Sequence, residues 1–293
     1  MSVPLNDPAW LERMYNNRAM VPDHLDYFHR WAEESARVRA TQPVLLDVAY
    51  GSGPGETLDV FPAARTAPDG VPVLVFIHGG YWRSLDKSDH SFIAPAFTEA
   101  GACVVVVNYA LCPGTPDAPV TVAHIVGQME KALAWVAGHI AGHGGHSRRV
   151  TVAGHSAGGQ LAAMLLTRGA SAVERDLPVG PVRNALSISG IHDLEPLMHT
   201  PLYQSVLHLT DQQVQQCSPA RLPKPASGHL HCVVGGEEST EFQRQNQLMQ
   251  NAWGNDVVPR SQVMAGLHHF SIVDALATPG HDVHRMALNL LQA

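Results

Sequence analysis

Val150-Thr151-Val152-Ala153-Gly154-His155-Ser156-Ala157-Gly158-Gly159-Gln160-Leu161 is the stretch that decides the fold. Val150–Ala153 is apolar and β-branched and reads as a strand, and the small residues that follow, through Arg168, read as a helix. Between them Gly154–Gly158 has the form Gly-x-Ser-x-Gly. A serine at a sharp strand-to-helix turn stands exposed above a sheet, and side chains two positions to either side would collide there. The helix N-terminus beside it favours developing negative charge. Ser156 is therefore the candidate nucleophile. A plain glycine-rich turn is the bland alternative, but the match occurs once and at the junction this chemistry requires.

Outward from that turn the pattern repeats. Leu45–Ala49 and Thr57–Phe61 flank Gly51, Gly53 and Gly55 and form a hairpin. Val73–Ile77, Ala102–Asn108, Ala185–Ser189, Leu230–Val234 and Pro259–Met264 read as further strands, with helices over Ala118–Ala141, Ser239–Trp253 and His281–Leu291. Continuous apolar strands alternating with helices imply a parallel sheet buried on both faces, so the class is α/β, with a mostly parallel sheet of about eight strands. Trp10–Tyr15 and Leu25–Arg39 make residues 1–40 a helical segment packed on a domain spanning 41–293. The prolines between Pro196 and Pro225 point to an irregular, cap-like insertion over about 191–225.

Two further loops complete the chemistry. His78-Gly79-Gly80-Tyr81-Trp82 follows a strand. Acyl transfer builds charge on a carbonyl oxygen, and glycine-rich backbone brings N–H donors close to it. The N–H groups of Gly80, Tyr81 and Ala157 are the expected oxyanion hole, with His78 holding the loop in shape. His143-Gly144-Gly145 repeats the tripeptide after a helix, so the strand and the following Tyr-Trp carry the distinction. Tyr81 and Trp82 are also the candidate substrate contacts, with loop packing an equal alternative for both.

The acid and base should follow the last two strands, in the order serine, acid, histidine. Glu237, Glu238 and Glu241 follow Leu230–Val234. Glu238, third after Gly235, is the first choice and Glu237 the second, while Glu241 belongs to the first turn of the next helix. His268 and His269 follow the last strand; His269 is preferred and His268 is the alternative base.

These residues together resemble the kynurenine formamidases (arylformamidases), a branch of the α/β-hydrolases close to the hormone-sensitive-lipase-like esterases. The resemblance rests on His78–Trp82, Gly154–Gly158, Gly236–Gln245 and His269-Phe270, with support from Asn108–Pro113, Tyr15–Arg18 and Val21–Asp23. It spans about residues 10 to 275. It implies the α/β-hydrolase fold and hydrolysis of N-formylkynurenine to kynurenine and formate. It also implies a Ser156–Glu238–His269 triad, with Glu238 where the family typically carries aspartate. A carboxylesterase for small acyl esters is the alternative with the same machinery.

Composition bounds the rest. Nineteen Lys and Arg against 26 Asp and Glu give a net charge of −7, which argues against a nucleic-acid partner. No apolar run approaches the ~20 residues of a membrane span, and the first residues have no apolar signal core. Cys103, Cys112, Cys217 and Cys232 form no CxxC pair, which fits a reducing cytoplasm. The 18 histidines raise a metallohydrolase reading, but His139, His143 and His146 lie in a glycine-rich loop, His155 and His192 lie apart, and no HExxH spacing occurs. The expectation is an enzyme without cofactor or metal, acting on a small-molecule acyl or formamide substrate, with a homodimer left open. A hydrolase-like binding protein without catalysis would lack a triad member, and all three residue types are present here.

Overall fold

Alternate residues of the central strands point to opposite faces, and both faces are covered. In a computed structural model describing residues 3–168 and 182–293, the strands are β1 (Leu45–Ala49), β2 (Thr57–Phe61), β3 (Val71–Ile77), β4 (Cys103–Val107), β5 (Gly114–Thr115), β6 (Ala118–Pro119), β7 (Gly145–His155), β8 (Val182–Ile188), β9 (His229–Gly235) and β10 (Arg260–Met264). Eight of them form one sheet in the order β1-β2-β4-β3-β7-β8-β9-β10. β2 runs antiparallel to β1 and β4; the other pairings are parallel. This is the α/β-hydrolase fold expected from the sequence.

Val73, Val75 and Ile77 face a core shared with the helices Val122–His139, Ala157–Arg168 and Thr240–Trp253. Leu74 and Phe76 face the opposite core, with Trp31, Phe92, Phe97, Leu276 and Leu290. Each such side chain contributes ~1.5–3 kcal/mol on burial, so a strand apolar on both faces is stable only between two layers. The candidate loops leave from the ends of the parallel strands β3, β7, β9 and β10.

The long helix begins at Val122 rather than Ala118. Ala118 and Pro119 pair with Gly114 and Thr115 in a small ribbon, and the Thr121 hydroxyl caps the helix at the His124 N–H, 3.1 Å away. It stops at His139 and continues as a 3₁₀ turn, Ile140–His143. The insertion is more regular than its prolines suggest. It carries the short helices Glu195–Met198, Pro201–Leu207 and Asp211–Cys217, two of them with proline in the first turn, where a missing N–H costs nothing. A helix over Ser271–Ala277 went unforeseen; it has no side-chain cap and spans only seven residues.

The N-terminal helices lie against the sheet's helical layer and the cleft above it. Trp31 stacks on Phe92 (ring centroids 5.8 Å apart, 15° between planes) and donates its indole N–H to Asp274 at 2.6 Å. The four cysteines are buried. Among the described residues no helix is long and apolar enough to cross a membrane.

Candidate active site

β7 runs directly into the helix Ala157–Arg168, and the turn places Ser156 at φ +56°. That left-handed conformation costs a non-glycine residue ~1–3 kcal/mol and persists only where the surroundings hold it. Here they do: the Ser156 N–H donates to the Ile188 carbonyl at 2.8 Å. A Cβ at Gly158 would stand 2.1 Å from the Ile77 carbonyl oxygen, and one at Gly154 2.0 Å from that of Gly158. Both glycines are thus required by close approach, as the sequence implies. The buried Ser156 hydroxyl has no hydrogen-bond partner among the described residues.

His269 follows β10, and its Nδ1 donates to Glu238 Oε2 at 2.6 Å. A carboxylate only accepts, so Nδ1 carries the proton and Nε2 is left as the basic nitrogen. Glu238 Oε1 accepts from the Ser189 hydroxyl at 2.5 Å and from the Gly235 N–H at 2.7 Å. Ser189, at φ +52°, was not singled out in the sequence; only its position just past β8 marks it. Glu237 is exposed. His268 faces away, its Nε2 3.1 Å from the Tyr27 hydroxyl and its Nδ1 accepting from the Phe270 and Ser271 N–H groups. Glu241 sits in the first turn of its helix, pairs with Arg244 at 2.7 Å and accepts from the Tyr15 hydroxyl at 2.6 Å.

His155, weighed in the sequence only as a metal ligand, has an unforeseen place beside the base. Its ring is 4.6 Å from that of His269, and its Nε2 donates to the His269 carbonyl at 2.8 Å. Burial first, then the neighbouring His269, lowers its pKa well below the usual value, so it is a neutral prop under the loop.

The Gly80–Trp82 loop is held in a strained conformation, with Tyr81 at φ +51° and Trp82 at φ +54°. The N–H groups of Gly80, Tyr81 and Ala157 donate to none of the described residues. His78 stacks on Tyr109 with ring centroids 4.2 Å apart, and its Nε2 lies 3.1 Å from Asn108 Oδ1. The Tyr109 hydroxyl donates to the carbonyls of His78 and Gly79, at 2.9 and 3.0 Å, which gives the Asn108–Pro113 stretch its place. Burial lowers the His78 pKa to about 4. Trp82 is fully buried and donates to Gln160 Oε1 at 3.2 Å; it packs under the loop and is not part of the cleft wall. Tyr81 does line the cleft, stacked on Tyr203 with centroids 4.0 Å apart.

Ser156, His269 and Gly80 share the wall of one cleft holding about 520 Å³ of empty space, solvent at its mouth included. Asn17 and Arg18 from the N-terminal segment and Tyr203 from the insertion close its sides. The hydroxyls of Tyr81 and Tyr203 both donate to the Tyr15 carbonyl, joining three parts of the chain. Of the histidines behind the metal reading, His155 lines this cleft, while three others are engaged elsewhere. His139 and His143 stack on Trp135, and His192 is 3.1 Å from the Ser187 hydroxyl.

Residues 74–263 match a family described as having the alpha/beta hydrolase fold. A kynurenine formamidase of Danio rerio is 30% identical over 266 residues, covering 87% of this chain and 84% of that one. Esterase LipC of Mycobacterium tuberculosis is 27% identical over 270 residues, covering 84% of this chain and 64% of that one. A solved structure from Silicibacter sp. TM1040, with a provisional thioesterase designation, superposes with a TM-score of 0.81 at 29% identity and covers 97% of this chain and 99% of that one. The chain belongs to the α/β-hydrolase family, in its kynurenine formamidase-like branch.

Proposed function

We propose that this protein is a serine hydrolase that cleaves N-aryl formamides through a formyl-enzyme, with N-formylkynurenine as the model substrate. The single observation that carries the reading is the buried 2.6 Å hydrogen bond from His269 to Glu238, on a histidine that shares its cleft with Ser156. That bond sets the tautomer a general base needs. His269 Nε2 takes the Ser156 proton as Oγ attacks the formyl carbonyl. The N–H groups of Gly80, Tyr81 and Ala157, which donate to none of the described residues, receive the oxyanion. The C–N bond then breaks, and His269 returns the proton to the departing aryl amine. Water, deprotonated by His269, attacks the formyl ester; formate leaves and Ser156 regains its proton. Glu238 faces the imidazolium that forms in both halves, and Ser189 and Gly235 hold that carboxylate in place.

A small-ester carboxylesterase is the second reading, favoured by the esterase relatives. The two separate on one assay: formate release from N-formylkynurenine beside hydrolysis of p-nitrophenyl acetate, with Ser156→Ala as the control. A kcat/KM above ~10⁴ M⁻¹s⁻¹ on the formamide, abolished in the variant, is the expected outcome. Cleavage of the ester alone overturns the formamide substrate and keeps the nucleophile. Undiminished turnover by Ser156→Ala overturns the mechanism.

A further inference from the structure

Two guanidinium groups and one amide at the side of the cleft are unaccounted for by this chemistry. Arg18 and Arg83 both line the cleft that Ser156 opens on. Arg18 Nη2 donates to the Ser84 hydroxyl at 3.1 Å, and Arg83 Nη1 reaches the Leu202 carbonyl at 3.4 Å. A guanidinium has five N–H donors, so most of each fork is left over. Among the described residues neither arginine forms an ion pair. Both lie over aromatic rings, Arg18 5.4 Å from the Phe28 ring centre and Arg83 5.2 Å from that of Tyr203. The two charges feel each other: burial first, then Arg83, lowers the Arg18 pKa. Beside them Asn17 is 4% exposed, and its side-chain N–H₂ has no acceptor among the described residues. A buried amide without a partner is unfavourable, and so are two neighbouring like charges. One anion in the cleft would relieve both.

We propose that Arg18, Arg83 and Asn17 form a carboxylate subsite, which makes the enzyme select aryl substrates whose leaving group carries a carboxylate. The planar forks suit a carboxylate, which they engage through paired N–H groups. The segment that carries Asn17 and Arg18 is clamped to the cleft through the Tyr15 carbonyl, so the subsite sits at a set distance from Ser156. The proposal rests on the serine hydrolase reading but not on the formamide.

The test uses two matched pairs: N-formylkynurenine with its carboxamide, and 3-acetoxybenzoate with 3-acetoxybenzamide. The wild-type protein is expected to favour the charged member of each pair about tenfold or more in kcat/KM, through KM. Arg18→Gln and Arg83→Gln are each expected to remove most of that preference, lowering kcat/KM on the charged member several times more than on the neutral one, and Arg83→Lys to keep part of it. Charge-assisted hydrogen bonds are worth about ten- to hundredfold. Equal rates within both pairs, or equal losses on both members, overturn the subsite. Cleavage of the esters without formate release overturns only the formamide substrate, and the ester pair then decides the subsite. A readout without turnover stands beside these: benzoate should raise the wild-type Tm more than benzamide does, and should lose that advantage in the Arg18→Gln/Arg83→Gln double variant. No difference between the two ligands on the wild type counts against the subsite.

Discussion

Replacing Glu238 by aspartate shortens the arm that reaches His269 by one methylene, about 1.5 Å. The backbone cannot follow easily. Glu238 N–H donates to the Gly235 carbonyl at 3.2 Å, and Glu237 N–H to the Leu267 carbonyl at 3.0 Å. A carboxylate now 2.6 Å from Nδ1 would retreat to roughly 4 Å, beyond hydrogen-bond reach. The hydrogen bonds from Ser189 and Gly235 would be stretched by the same step. Losing a charge-assisted bond to the imidazolium costs ~1.5–3 kcal/mol, which is about 10- to 150-fold in kcat. Glu238→Gln tests the same bond differently. Its oxygen still accepts from Ser189 and Gly235, so its N–H₂ faces Nδ1 and imposes the wrong tautomer. In a serine protease triad the equivalent change costs ~10⁴-fold, so the expected order is wild type above Glu238→Asp above Glu238→Gln. The assay is steady-state turnover of p-nitrophenyl acetate and N-formylkynurenine, with circular dichroism to confirm the fold. A Glu238→Asp variant within threefold of wild type, or a Gln variant as active as the Asp one, would refute the argument that this carboxylate sets the histidine.

Acid should destabilise the protein before its carboxylates protonate. Burial lowers the pKa of His78 and His90 to about 4 and of His192 to about 3, while the unfolded chain titrates near the ordinary ~6.5. Below that value the unfolded state binds protons that the folded state refuses, so each group costs ~2 kcal/mol of stability by pH 5; guanidinium unfolding with equal midpoints at pH 7.5 and pH 5 would contradict this. Lys87 Nζ lies 2.6 Å from the fully buried Asp59 carboxylate and 2.7 Å from that of Asp47. Lys87→Met therefore strands a buried charge and should cost ~3–5 kcal/mol in equilibrium unfolding; a loss below 1 kcal/mol would show the pair to be dispensable.

Chemistry that is local in the chain is legible from the sequence. Gly154–Gly158 dictates its own turn, because carbonyl oxygens already occupy the space a Cβ would need. Apolar runs such as Val73–Ile77 and Cys103–Val107 have no stable place except between two layers, and that settles an α/β sheet. Short helices such as Ser271–Ala277 escape because neither cap nor period marks them; packing of Ile272 and Leu276 on the core makes them.

Tertiary structure alone decided the rest. Two adjacent glutamates and two adjacent histidines are chemically equal in sequence. Glu238 is turned inward to His269 by Ser189 and Gly235, while Glu237 is exposed and His268 is taken by Tyr27. Which neighbour points inward depends on strand ends more than thirty positions apart in the chain, and no local pattern encodes that. The same holds for the cleft wall. Asn17, Arg18, Arg83 and Tyr203 come from three separate segments, brought together by two hydroxyls that meet on the Tyr15 carbonyl. A sequence specifies such a wall only through the packing of the whole chain, because burial and long-range hydrogen bonds are properties of neighbours in space.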